Sequence, residues 1–126
     1  MVTIDDVQEM LGEIARELPG DFFKELNGGI VLLEACKPHP QGAGLFIMGE
    51  YHRRRDMGRQ ILIYYGSFLR AYADAPAHEL RERLRKTLLH EFTHHLESLA
   101  GERGLELKDQ AMLAKYRARG EGSAEV

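Results

Sequence analysis

His90 and His94 stand four residues apart, with Glu91 directly after the first, in the run His90-Glu91-Phe92-Thr93-His94. On an α-helix, residues four apart share a face, so both imidazoles can aim a ring nitrogen at one metal ion. Glu91 is turned about 100° from His90 and lies beside such an ion rather than on it. From there its carboxylate can take a proton from a metal-bound water and pass it to a leaving group. Zinc lowers the pKa of that water from about 15.7 to roughly 7, which supplies a nucleophile at neutral pH. The spacing therefore encodes a hydrolytic chemistry: His90 and His94 as metal ligands, Glu91 as general base. The bare pattern arises by chance in roughly a few per cent of shuffled chains of this composition, so its weight depends on the helix around it.

A catalytic zinc takes three protein ligands and leaves one position open. Glu97 shares the histidine face, but in an unbroken helix it stands about 7 Å further along the axis than an ion held between His90 and His94. A glutamate side chain does not span that gap, so Glu97 suits a role as hydrogen-bond partner to an imidazole. The third ligand is expected from the chain returning after Gly101, where Glu102, Glu106 and Asp109 are available. Glu102 follows the turn too closely to travel back along the helix. Asp109 is preferred and Glu106 is the alternative, both having enough intervening chain.

These side chains need a helix to hold them, and the sequence supplies one from Pro76 to about Ala100, ahead of Gly101. Leu84, Leu88, Phe92 and Leu99 fall within about 80° on a helical wheel, opposite the histidines. Leu89, Phe92 and Leu96 flank the pair, which argues against a solvent-exposed position. His95, about 140° from His90, reads as a hydrogen-bonded structural histidine. Earlier in the chain, Ile4, Val7, Leu11 and Ile14 repeat at helical spacing behind a capping Thr3, and Leu18-Pro19-Gly20 ends that helix. Asp21 is placed to cap a short helix carrying Phe22, Phe23 and Leu26. Ile30 to Leu33, Leu45 to Met48 and Ile61 to Tyr65 are strand candidates, with His52 to Asp56 as a polar connection. Two prolines make Lys37 to Gly42 a loop. A short helix is expected around Phe68, Leu69 and Tyr72. The pattern is α+β, with helices against a three- or four-stranded sheet.

The 126 residues are expected to form one domain, 1–126, with 120–126 as a disordered tail. A net charge of −3 offers no broad attraction to nucleic acid or anionic membrane. The arginine run 53–55 reads as a solvated loop. Neither a membrane span nor a secretory signal is evident, and the single cysteine, Cys36, excludes an internal disulfide. A cytoplasmic protein, with a metal held by His, Asp and Glu, is the simplest expectation.

The sequence resembles the minimal zincins, small metallopeptidases with a matrix-metalloprotease-like domain. The likeness includes Leu18-Pro19 after the first helix, Gly49-Glu50-Tyr51, the run Ile61 to Tyr65, and above all Leu88-Leu89-His90-Glu91-Phe92-Thr93-His94-His95, with its doubled histidine. The resemblance implies a zincin-like α+β fold, a small sheet packed on the HExxH helix, one zinc ion, and a peptide or protein substrate held in extended form along an edge strand. Many members follow the doubled histidine with a helix-breaking glycine and an aspartate ligand three residues later. Here Glu97 and Ala100 stand at those positions, and Asp109 matches the aspartate only across an insertion. The rival expectation is a binding or regulatory module that retains the fold and metal site without cleaving anything.

Overall fold

A computed structural model of the chain describes residues 2–103. Helix α1, Ile4–Glu17, begins on the expected cap: Thr3 Oγ1 accepts from the Asp6 amide at 3.1 Å, and the Thr3 amide donates to Asp6 Oδ2 at 2.9 Å. This reciprocal box satisfies amides that the first helical turn leaves without partners. Val7, Leu11 and Ile14 form the buried stripe. The next turn, Gly20–Phe23, is a 3₁₀ helix entered from Pro19, and Asp21 lies inside it without capping it.

Five strands follow: β1 Gly29–Leu33, β2 Lys37–Pro38, β3 Phe46–Ile47, β4 Gly49–Arg54 and β5 Gly58–Tyr64. The main sheet has the order β1-β5-β4, with β1 parallel and β4 antiparallel to β5. It is a small mixed sheet, as expected. Around the strands, three boundaries differ from the sequence reading. The segment expected to be a polar connection is largely strand β4, because a strand lying at a sheet edge needs only one apolar face. Only residues 55–57 make the turn. Lys37 and Pro38 form a two-residue bridge with Ile47 and Phe46, a short ribbon where proline costs no central ladder bond. Tyr65 is not in the strand but opens helix α2, Tyr65–Ala71.

Helix α2 starts hard against the link between β1 and β2. A Cβ on Gly66 would lie 2.7 Å from the Cys36 nitrogen and 2.7 Å from the Glu34 oxygen, so only glycine fits. Helix α3, Ala77–Arg103, covers the inner face of the sheet and is about 40 Å long. It runs through Gly101 rather than stopping there. With no side chain of its own and nothing close to it, this glycine lowers helix propensity by about 1 kcal/mol. That is too little to end a helix already anchored by seven buried side chains: Leu80, Leu84, Leu88, Leu89, Phe92, Leu96 and Leu99. Each such burial contributes about 1.5–3 kcal/mol. These residues meet Val7, Leu11 and Ile14 of α1, Phe22, and Ile61 and Ile63 of β5 in one core. The Phe22 and Phe23 rings stand 5.9 and 5.1 Å from that of Phe92. No helix among the described residues is long and apolar enough to cross a membrane.

Candidate metal centre and adjoining groove

The apolar stripe of α3 fixes the rotation of the helix and turns the opposite face outward. His90 and His94 sit there, with their Nε2 atoms 3.2 Å apart and their rings perpendicular. Two nitrogens bound to one tetrahedral zinc at about 2.0–2.1 Å lie roughly 3.3 Å apart. The pair thus already has the spacing of two ligands on one ion, and the donor set suits zinc. Contrary to the sequence reading, the flanking leucines and phenylalanine do not enclose the pair. Leu89, Phe92 and Leu96 point into the core, leaving the His94 side chain 48% exposed. Glu97 Oε1 lies 3.9 Å from His94 Nδ1, the ring nitrogen that does not face His90. Among the described residues, no group of three or more His, Cys, Asp or Glu is gathered to hold a metal. Asp109 and Glu106 lie outside the described residues.

Glu91 is 1% exposed, yet it borders a groove of about 590 Å³ between α3 and β4. Strand β4, from Gly49 to Arg53, forms one wall, and Glu91, His94, Glu97 and Ser98 form the other. Gly49 lets the strand lie flush on the helix. A Cβ there would stand 3.0 Å from Thr87 Cγ2, 3.1 Å from the Leu62 oxygen and 3.3 Å from Glu91 Cγ. Gly49→Ala is therefore expected to destabilise the fold by about 1–3 kcal/mol through overpacking. An unchanged urea midpoint would show that strand and helix separate freely.

His95 locks this arrangement from below. It is fully buried; its Nε2 meets the Lys24 carbonyl at 2.8 Å and its Nδ1 meets the Tyr51 hydroxyl at 2.8 Å. A carbonyl only accepts, so Nε2 carries the proton and Nδ1 accepts from Tyr51. Burial pushes the His95 pKa down and keeps the ring neutral. The edge strand is thereby tied to α3 one residue after His94.

Sequence reasoning missed a second cluster. Glu50, on the opposite face of β4 from Tyr51, takes hydrogen bonds from Lys37 Nζ at 2.6 Å, the Tyr64 hydroxyl at 2.6 Å and His52 Nε2 at 3.1 Å. Burial works against its charge, but the bonds from Lys37, Tyr64 and His52 prevail and hold its carboxyl below the usual range. Burial, then donation to Glu50, pushes the Tyr64 hydroxyl up. The alternation of Glu50 and His52 would have signalled this once β4 was seen as a strand. Gly49-Glu50-Tyr51 thus combines a close approach, an anchored carboxylate and the His95 contact.

Comparison with known proteins shows the family and the fold. The family profile described as zincin-like metallopeptidase matches residues 38–115. A solved structure of a conserved hypothetical protein from T. thermophilus is similar, with 34% identity and a TM-score of 0.69, covering 79% of this chain and 98% of that one. No curated protein matches.

Proposed function

Because the chain belongs to the zincin-like metallopeptidase family, we propose that it is a zinc-dependent peptidase whose site is His90, Glu91, His94 and the β4 groove. The observation that carries this reading is the 3.2 Å separation of the two Nε2 atoms at the border of that groove. His90 and His94 would hold the ion, with Asp109 as the proposed third ligand and Glu106 as the alternative. Bound zinc supplies Lewis-acid polarisation and a water acidic enough to act near neutral pH.

The chain's own residues do the rest. An extended peptide adds to β4, the edge strand among the described residues, through main-chain hydrogen bonds, which orient it along the groove. Glu91 receives the proton given up by the attacking water and returns it to the leaving amine. Glu97, close to His94 Nδ1, orients the ring.

The purified chain is expected to carry about one zinc and to cleave members of an unstructured peptide mixture. A chelator should stop the cleavage, and added zinc should restore it. Continuation of α3 to Arg103, with Glu97 where many relatives have glycine, favours a second reading as a metal-retaining module without activity. Zinc bound at one equivalent with no peptide cleaved would establish that second reading.

A further inference from the structure

Two threonines of α3 are buried, and their hydroxyls are treated differently. Thr93 gives its hydroxyl to the Leu89 carbonyl, four residues back, at 2.9 Å. That is a common way for a helix to satisfy a buried threonine. Thr87 is fully buried as well, and its Oγ1 has no hydrogen-bond partner. A buried hydroxyl left unpaired costs stability, and a valine would fill the same space without that cost. Packing alone therefore does not account for a threonine here.

The surroundings of Thr87 point to a use for the hydroxyl. Thr87 stands four residues before Glu91, so both lie on one face of α3. Helical side chains lean toward the N-terminus, which carries Glu91 back over Thr87. Gly49 shows how close they come. The point where its Cβ would stand is 3.0 Å from Thr87 Cγ2 and 3.3 Å from Glu91 Cγ. Both side chains thus border the gap that glycine leaves beneath β4. The Thr87 methyl faces that gap, and one staggered step about Cα–Cβ puts the hydroxyl in its place.

We infer that Thr87 is a positioning residue for the general base: its hydroxyl donates to one carboxylate oxygen of Glu91 and leaves the other to take the proton. This rests on the reading of Glu91 as that base. The two oxygens of a carboxylate offer about four acceptor positions, so one more donor is accommodated whatever else Glu91 touches. Glu91 Oε2 is buried and is the oxygen assigned to Thr87. The hydroxyl stays bonded to it whether Glu91 is carboxylate or acid, because the proton arrives and leaves at the other oxygen. The carboxyl plane is thereby held through both transfers.

Thr87→Val and Thr87→Ser separate the hydroxyl from the methyl, since valine keeps the shape and serine keeps the donor. Peptide cleavage, zinc content and the urea midpoint are measured on both variants and on the unmodified chain. Thr87→Val is expected to lower kcat about tenfold, with KM and zinc content within about twofold and a midpoint no lower than before. Thr87→Ser should keep kcat within about twofold while its midpoint falls, because the methyl against Gly49 is lost. A threonine that only packs would move kcat and midpoint together. Unchanged kcat in Thr87→Val, or an equal loss in both variants, would overturn the inference. A crystal structure of the zinc-loaded protein reads the contact without any turnover, and Thr87 Oγ1 should lie about 2.7 Å from a Glu91 oxygen. Oγ1 turned instead to the Arg83 carbonyl, as Thr93 turns to Leu89, would overturn it too. If the unmodified chain cleaves no peptide, the peptidase reading falls, and the crystallographic contact alone decides the pairing of Thr87 with Glu91.

Discussion

Glu91→Gln is expected to leave zinc content and thermal stability near those of the unmodified protein while lowering kcat by about 10²–10⁴-fold. The amide has the size and shape of the carboxylate, so the tight contact between Glu91 and the Gly49 segment is preserved. It cannot accept a proton at the oxygen that must take one. The reading requires paired measurements, metal content by elemental analysis and kcat at saturating peptide. Undiminished kcat in this variant would move the base elsewhere. A variant that has lost zinc as well would show that Glu91 holds the site together rather than transferring protons.

The second large effect concerns the metal itself. Replacing His90 and His94 together by alanine is expected to weaken zinc binding by roughly 10³-fold or more. Structural sites with four ligands bind zinc with about 10–16 kcal/mol, so two ligands carry several kcal/mol between them. The fold should survive, because His94 is largely on the solvent side and the seven apolar residues that anchor α3 are untouched. Competition against a chromophoric chelator measures the affinity, and circular dichroism checks the fold. Equal affinity in the double variant would remove the site.

What could be seen in the sequence was whatever depends on local spacing. The Thr3 cap follows from its residue type just ahead of the helix, and the α1 stripe and the inward face of α3 follow from a period near 3.6, with side chains where that period puts them. His95 was legible as structural for the same reason, being rotated from His90 toward the core. Strand β4 was not, since Glu50, His52, Arg53 and Arg54 look like a loop until β5 is known to lie beside them. The groove follows from that pairing and has no signature in either segment alone. Gly101 misled because a C-terminal glycine signal is weak, and packing over the preceding turns outweighed it. The exposure of His94 was misjudged because nearness in sequence to Leu89 and Leu96 is not nearness in space. Asp109 and Glu106, the residues expected to supply a third ligand, lie outside the described residues.

The link from Tyr51 to His95 to Lys24 also has a direction. Tyr51 donates to His95, and His95 donates to the Lys24 carbonyl. From the Tyr51 hydroxyl inward, both protons point the same way, from strand β4 toward the backbone beside the 3₁₀ turn. Aligned donors polarise one another, so each bond in the series is stronger than it would be alone. The alignment also makes the series all-or-none in sense. A histidine in its other tautomer would set two acceptors face to face at Lys24 and would force the Tyr51 hydroxyl to turn its proton away and accept instead. The core thus carries an arrow as well as a contact, and its head is seated at Lys24, where the chain leaves the 3₁₀ turn beside α3.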